Sequence, residues 1–289
     1  MDRENAAWYT CGKKYEELTL ANDFMFCKVM QDPELCRKML NRIMGVSLGK
    51  VVVANSQKPI DVTFDGKSIR LDVFAEDEDG NIYDIEMQCS DTHELPLRSR
   101  FYQSMIDQDL LEKGEDYQKL GNTVIIFICK FDLFKQGRGK YLFRQYEEND
   151  RNLALDDRTT KIFLNTKGHV EDPLLQNFLN YLEGILEDRD PYINELEHAV
   201  WKASRNSKWR DEYMRYSMRE KYLESVFMQR GLEKGIEEGR KEGRKEGWKE
   251  GCIDLVCKAL ERGMSEEQII SFLDVSPEVI QAAKAKMSK

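Results

Sequence analysis

The chain has 289 residues, 44 Lys+Arg against 53 Asp+Glu for a formal net charge of −9, 41% apolar residues and 34% charged. That length holds one large domain or two ordinary ones at roughly 100–200 residues each, and charge above the usual quarter or so, beside 10% aromatics, implies a folded body carrying solvated segments. The opening MDRENAAWYT is not the basic-then-apolar pattern of a secretory signal, and the longest strongly apolar run, 124–129, falls far short of the roughly 20 residues of a spanning helix.

In chain order, the apolar spacing of 16–44 predicts two short amphipathic helices. Asn22 or Asp23 caps the first, Asp32-Pro33-Glu34 opens the second with proline in its first turn, and Gly45 ends it. Residues 68–75 and 82–89 alternate as strands around Glu76-Asp77-Glu78-Asp79-Gly80-Asn81, a turn sequence. Leu97–Glu112 reads as a helix with Gly114 near its end, and Thr123–Phe131 as a strand buried on both faces. Tyr141–Tyr146 and Lys161–Asn165 are further strands. From Asp172 to about Arg230 the pattern is helical, broken near Asp190-Pro191 and Arg205-Asn206-Ser207.

The tail repeats glycine at 231, 235, 239, 243, 247 and 251, with charged residues between. Each glycine costs about 1 kcal/mol against alanine in a helix, and Glu238/Lys241, Glu242/Lys245 and Glu246/Lys249 return a few tenths each. A marginal solvated helix or linker, or a coiled segment that needs a partner, both fit. Residues 252–287 suggest a helical hairpin, with Ser265-Glu266-Glu267-Gln268 as a capping box and Ser276-Pro277-Glu278 opening a last helix. The expected organisation is a core over 1–170, a helical extension over 171–230, the glycine segment over 231–251 and a small helical segment over 252–289.

Chemistry concentrates on the hairpin. Glu86 and Gln88 lie two apart on one strand and so share a face, and Asp72 lies on the neighbouring strand. Converging carboxylates repel, and a hard divalent cation such as Mg²⁺, with Mn²⁺ able to substitute, resolves the repulsion through oxygen ligands. The main-chain carbonyl of Met87 completes the protein's share, and Gln88 positions water or a phosphate oxygen, which suits metal-assisted attack of water on a phosphodiester. There is a geometric condition. A two-residue turn puts Asp72 on the wrong face, whereas an odd connection centred on Gly80, or a bulge, pairs it with residue 88. The same residues also describe an ordinary solvated sheet face.

Asn22-Asp23-Phe24, Phe26-Cys27-Lys28, Gly66-Lys67-Ser68-Ile69-Arg70-Leu71-Asp72-Val73, Asp79-Gly80-Asn81 and Asp84-Ile85-Glu86-Met87-Gln88 occur in that order. Arg98-Ser99-Arg100-Phe101-Tyr102 and Lys113-Gly114-Glu115-Asp116-Tyr117 follow. Together they resemble the PD-(D/E)XK nuclease family transposases, close to the Rpn-type recombination-promoting nucleases of bacteria, over about 16–135. The resemblance implies an α/β fold with a restriction-endonuclease-like core, a mixed central sheet flanked by helices, and a helical C-terminal region. It implies a Mg²⁺-dependent DNA endonuclease with Asp72 and Glu86 as metal ligands and Gln88 where the wider superfamily usually has lysine. Asp23 falls where an extra acid is often supplied, though a helix cap is its plainer reading. Arg98, Arg100 and Tyr102 would approach the site or the DNA backbone, or serve only as surface partners of nearby acids.

Other signals are weaker. Lys130, Lys135, Arg138, Lys140 and Arg144 form a local basic run suited to nonspecific phosphate contact or simply to water. The seven scattered cysteines include no CxxC and read as reduced thiols of a cytoplasmic protein, and with three histidines a structural zinc site is not expected. Of those histidines only His93 is near the hairpin, and it reads as a loop residue. No phosphate-binding glycine loop, dinucleotide fingerprint, serine elbow or HExxH is present. DNA is the expected partner, with a homo-oligomer formed through the helical C-terminal region and no membrane. The rival reading is a weak or inactive nuclease-fold protein acting as a DNA-binding or assembly module.

Overall fold

The computed structural model describes residues 14–54, 58–60, 69–186 and 190–287. Gly66, Lys67 and Ser68 of the resemblance lie outside them. Two compact units are present, Met1–Ser217 and Met218–Lys289.

The first unit begins with the two helices expected there. Helix α1 spans Asp23–Val29 and α2 Pro33–Met44. Asn22, not Asp23, is the α1 cap, its side-chain oxygen accepting from the Met25 N–H at 3.1 Å. Asp32 caps α2, and Gly45 ends it with φ 74°, a left-handed conformation that glycine adopts without a Cβ clash. Strand β1 (Val51–Val53), β2 (Lys58–Ile60) and β3 (Ile69–Leu71) follow. Then come β4 (Val73–Asp77), β5 (Ile82–Gln88), α3 (Leu95–Leu110) and β6 (Thr123–Cys129). Strands β7 (Lys140–Phe143) and β8 (Thr159–Asn165) complete the six-stranded sheet, in the order β1-β4-β5-β6-β8-β7. β2 and β3 form a separate antiparallel pair. The central β5, β6 and β8 are parallel and both edges antiparallel, so the sheet is mixed. Every residue of β6 is buried, as a continuous apolar run requires when both faces are covered.

Alternation along the strands sends successive side chains to opposite faces. On one face Val73, Ala75, Ile85, Met87, Val124, Ile126, Ile162 and Leu164 join a core with α1, α2, α4 (Pro173–Leu182) and α5 (Pro191–Ala203). The other face carries Phe74, Ile125, Phe127, Cys129 and Phe163 beneath Leu95, Tyr102, Met105 and Ile106 of α3. Helices α4 and α5 therefore share the sheet's core. Asp172 and Asp190 cap α4 and α5, each followed by proline. Arg42 reaches Asp190 with two hydrogen bonds, at 2.7 and 2.8 Å.

Helix α6 spans Ser207–Glu261 without a break. In the first unit its opening turns place Tyr213 in the core. In the second unit it carries the glycine repeat as helix, with the ion pair formed between Lys241 and Glu237 at spacing four, one residue from the Glu238/Lys241 spacing expected. A Cβ built on Gly231, Gly235, Gly239, Gly243, Gly247 or Gly251 meets nothing within 4 Å. Helices α7 (Glu266–Leu273) and α8 (Pro277–Met287) close the second unit around Val256, Ile269, Ile280 and Ala283, and both bonds of the Ser265–Gln268 capping box form.

Candidate active site

The hairpin satisfies the parity condition at a different register. Glu76 pairs with Ile82, Phe74 with Asp84 and Val73 with Ile85, so the connection is odd but centred on Asp79 rather than Gly80. Asp77 sets it. Its buried carboxylate accepts from the N–H groups of Asp79 (3.1 Å) and Asn81 (2.9 Å), the Asn81 amide and the Tyr83 hydroxyl, and Gly80 takes φ 78°. The chain bends at Asp72, between β3 and β4, and continuing the register sets Asp72 opposite Glu86, not residue 88.

There the acids meet directly. The Asp72 N–H donates to Glu86 Oε1 at 3.0 Å, and the Met87 N–H donates to Asp72 Oδ2 at 3.2 Å. The Gln88 carbonyl accepts from Lys130 N–H towards β6, so the alternating Met87 backbone groups, carbonyl included, face the Asp72 edge. Gln88 spends its amide at both ends. Its Oε1 accepts from Arg98 Nη1 at 2.9 Å and its Nε2 donates to the Ser90 carbonyl at 2.9 Å. Arg98 Nη2 also reaches Glu86 Oε2 (3.4 Å) and the Tyr102 hydroxyl (2.8 Å). Arg98 and Tyr102 are one turn apart on α3, hence on one face, whereas Arg100, two residues on, is exposed.

Asp84 belongs to this group, although its position in the hairpin motif alone did not single it out. It is fully buried, with no hydrogen-bond donor on either carboxylate oxygen and the Glu86 carboxyl beside it. The period-two rule was the available signal, because Asp84, Glu86 and Gln88 share a face. Burial holds Asp72, Asp84 and Glu86 well above the ordinary carboxylate range, with Glu86 and Asp23 adding to Asp72, Asp72 to Asp84, and Asp84 to Glu86. Burial, then the Glu86 charge, pushes the Tyr102 hydroxyl up to about 12. Asp23, first residue of α1, lies near enough to act on Asp72 and accepts from the Tyr216 hydroxyl at 2.7 Å, a partner from α6 that sequence reading did not find.

The basic run does not make one patch: Lys140 turns inward to the Ile43 carbonyl, Lys130 lies 3.7 Å from Glu183, and Lys135, Arg138 and Arg144 are exposed. His93 is an exposed loop residue with φ 58°, paired with Asp91 at 3.0 Å. Among the described residues no three His, Cys, Asp or Glu side chains are arranged to hold a metal ion. The oxygen donors at the hairpin are two carboxylates plus a main-chain carbonyl, a set suited to a hard cation that keeps several waters. The unpartnered Asp84 oxygens and three desolvated acids against one guanidinium leave the site short of positive charge, so a divalent cation fits it. No helix among the described residues is long and apolar enough to cross a membrane.

Compared with known families, residues 20–226 match PD-(D/E)XK nuclease family transposase. No curated protein and no solved structure matches.

Proposed function

Since the chain belongs to the PD-(D/E)XK nuclease family transposases, whose nucleases generally act on DNA with divalent metal ions, we propose that it is a Mg²⁺-dependent DNA endonuclease of the Rpn-like group. Its role would lie in recombination or mobile-element biology. The observation that carries this reading is the hairpin register, which sets Asp72 opposite Glu86 and joins them by a 3.0 Å hydrogen bond.

Asp72, Glu86 and the Met87 carbonyl would hold the cation, with Mn²⁺ an alternative to Mg²⁺. When bound, such an ion polarises the phosphodiester and lowers the pKa of water. Gln88 orients the attacking water through the second lone pair of Oε1, the first being held by Arg98. Asp23 lies behind Asp72 as an additional acid, and Arg100, exposed on α3, takes a backbone phosphate. The C-terminal helices, with open space at each glycine of the repeat, serve self-association.

The test is plasmid nicking with Mg²⁺ or Mn²⁺ by wild type and Glu86→Ala prepared in parallel. Cutting that needs metal and is lost in the variant supports the reading, and cutting that survives refutes the site. The alternative, a DNA-binding or assembly protein on a nuclease fold, draws support from Gln88, which brings no charge and already has a partner at each end of its amide. DNA binding with no cutting in either metal favours it.

A further inference from the structure

The acids of the site outnumber its cations. Asp72, Asp84 and Glu86 share the α3 face of the hairpin, and Gln88 adds hydrogen bonds without charge. Attack on a phosphodiester places further negative charge here. Among the described residues the cation in contact with the group is Arg98, whose guanidinium bonds Gln88 Oε1 and Glu86 Oε2.

Its position is fixed from three directions. The Tyr102 hydroxyl accepts from Nη2 at 2.8 Å, and the guanidinium carbon sits 5.3 Å from the Tyr102 ring and 5.6 Å from the Phe127 ring. The side chain is 27% exposed, so one side stays open to solvent. A guanidinium has five N–H donors in one plane. Three are used here, leaving Nε–H and one Nη1–H with no acceptor among the described residues. The same contact sets the polarity of Gln88: with Arg98 on Oε1 and the Ser90 carbonyl on Nε2, the amide cannot flip without losing both bonds.

We propose that Arg98 supplies the positive charge of the active site, orienting the Gln88 amide and binding a non-bridging oxygen of the scissile phosphate through its unused N–H groups. This rests on the nuclease reading above. A planar fork engages Gln88 and a phosphate oxygen together, which a lysine ammonium at position 98 does less well.

The experiment compares wild type, Arg98→Ala, Arg98→Lys and the double variant Arg98→Ala/Gln88→Lys. Three quantities are read: metal-dependent plasmid cutting, the salt dependence of duplex DNA binding with Ca²⁺, and the melting shift caused by Mg²⁺ or Mn²⁺ alone. Arg98→Ala should lower cutting by about 10²–10³-fold, the cost of losing one preorganised donor to developing charge. The slope of log K against log salt should fall by about one, the loss of one phosphate contact. Its metal-induced melting shift should persist, since Asp72 and Glu86 remain. Arg98→Lys should keep the slope while cutting less than wild type. Lysine at position 88 in the Arg98→Ala background should restore cutting by about tenfold or more, equivalent to about 1.4 kcal/mol of barrier.

Arg98→Ala that cuts within about threefold of wild type, a difference below 1 kcal/mol of barrier, overturns the proposal. So does an unchanged salt slope, or a metal shift that disappears with Arg98, since either makes the residue structural. A double variant that binds metal yet recovers no cutting overturns the role assigned to charge. Wild type that neither cuts nor gains stability from metal removes the nuclease reading itself, and this proposal with it. Wild type that cuts beside an equally active Arg98→Ala removes this proposal alone.

Discussion

Asp84→Asn isolates the charge of a buried carboxyl that no donor reaches. Both oxygens are buried and unbonded, and burial with the Asp72 charge holds the group well above its ordinary value of 3.8. Above that value the folded state keeps a proton that the unfolded chain releases, so folding stability falls as pH rises, at about 1.4 kcal/mol per pH unit. Over pH 4 to 7 the ceiling is about 4 kcal/mol, reached when the folded protein stays protonated throughout. Asparagine keeps the shape, carries no charge and leaves its own amide unsatisfied at about 1–3 kcal/mol. Near pH 4 the variant should thus be no more stable than wild type, and it should gain on wild type as pH rises, by no more than that ceiling at pH 7. For a unit of this size that is about 2–4 °C in melting temperature per kcal/mol. The assay is thermal unfolding in EDTA at half-unit pH steps. Mg²⁺ should narrow the difference by favouring the ionised carboxylates. Wild type and variant curves that run parallel from pH 4 to 7 would refute the reasoning.

Glu86→Gln should remove the metal-induced gain in stability, which at 100 times the dissociation constant is about 2.7 kcal/mol for wild type; a variant that still shifts places the metal elsewhere. Asp190→Ala should cost about 3–5 kcal/mol, because Arg42 would be left largely buried and uncompensated and α5 would lose its cap; denaturant unfolding measures it. Gly239→Ala and Gly243→Ala should each gain about 1 kcal/mol, since a Cβ meets open space there. Loss of stability instead, followed by calorimetry across a concentration series, would mean that a second chain covers these glycines.

Local chemistry made much of both units legible. The Asp32-Pro33 and Asp190-Pro191 helix starts, the Gly45 stop and the Ser265 capping box stand where backbone donors and acceptors need them. The β6 run reads as a buried strand because no polar side chain interrupts it. Three-residue strands such as β1 and β2 leave too few positions for a period to show. The hairpin's parity followed from the need to bring Asp72 and Glu86 to one face. Its centre did not, because that was decided by the Asp77 carboxylate gathering four donors around the loop. Asp84 was within reach of the alternation rule, and its lack of partners was not.

By itself the sequence determined the identities of the acids, their spacing on the strand and the family to which the chain belongs, since all three depend on neighbours along the chain. Tertiary structure decided the electrostatics of the site. Arg98 meets Gln88 only because α3 covers that face of the sheet, and Asp23 finds Tyr216 across 193 residues. Lys140 is drawn out of the basic run to a carbonyl of α2. Charge acts through distance and burial, and those are fixed only when the sheet and its helices close around the hairpin.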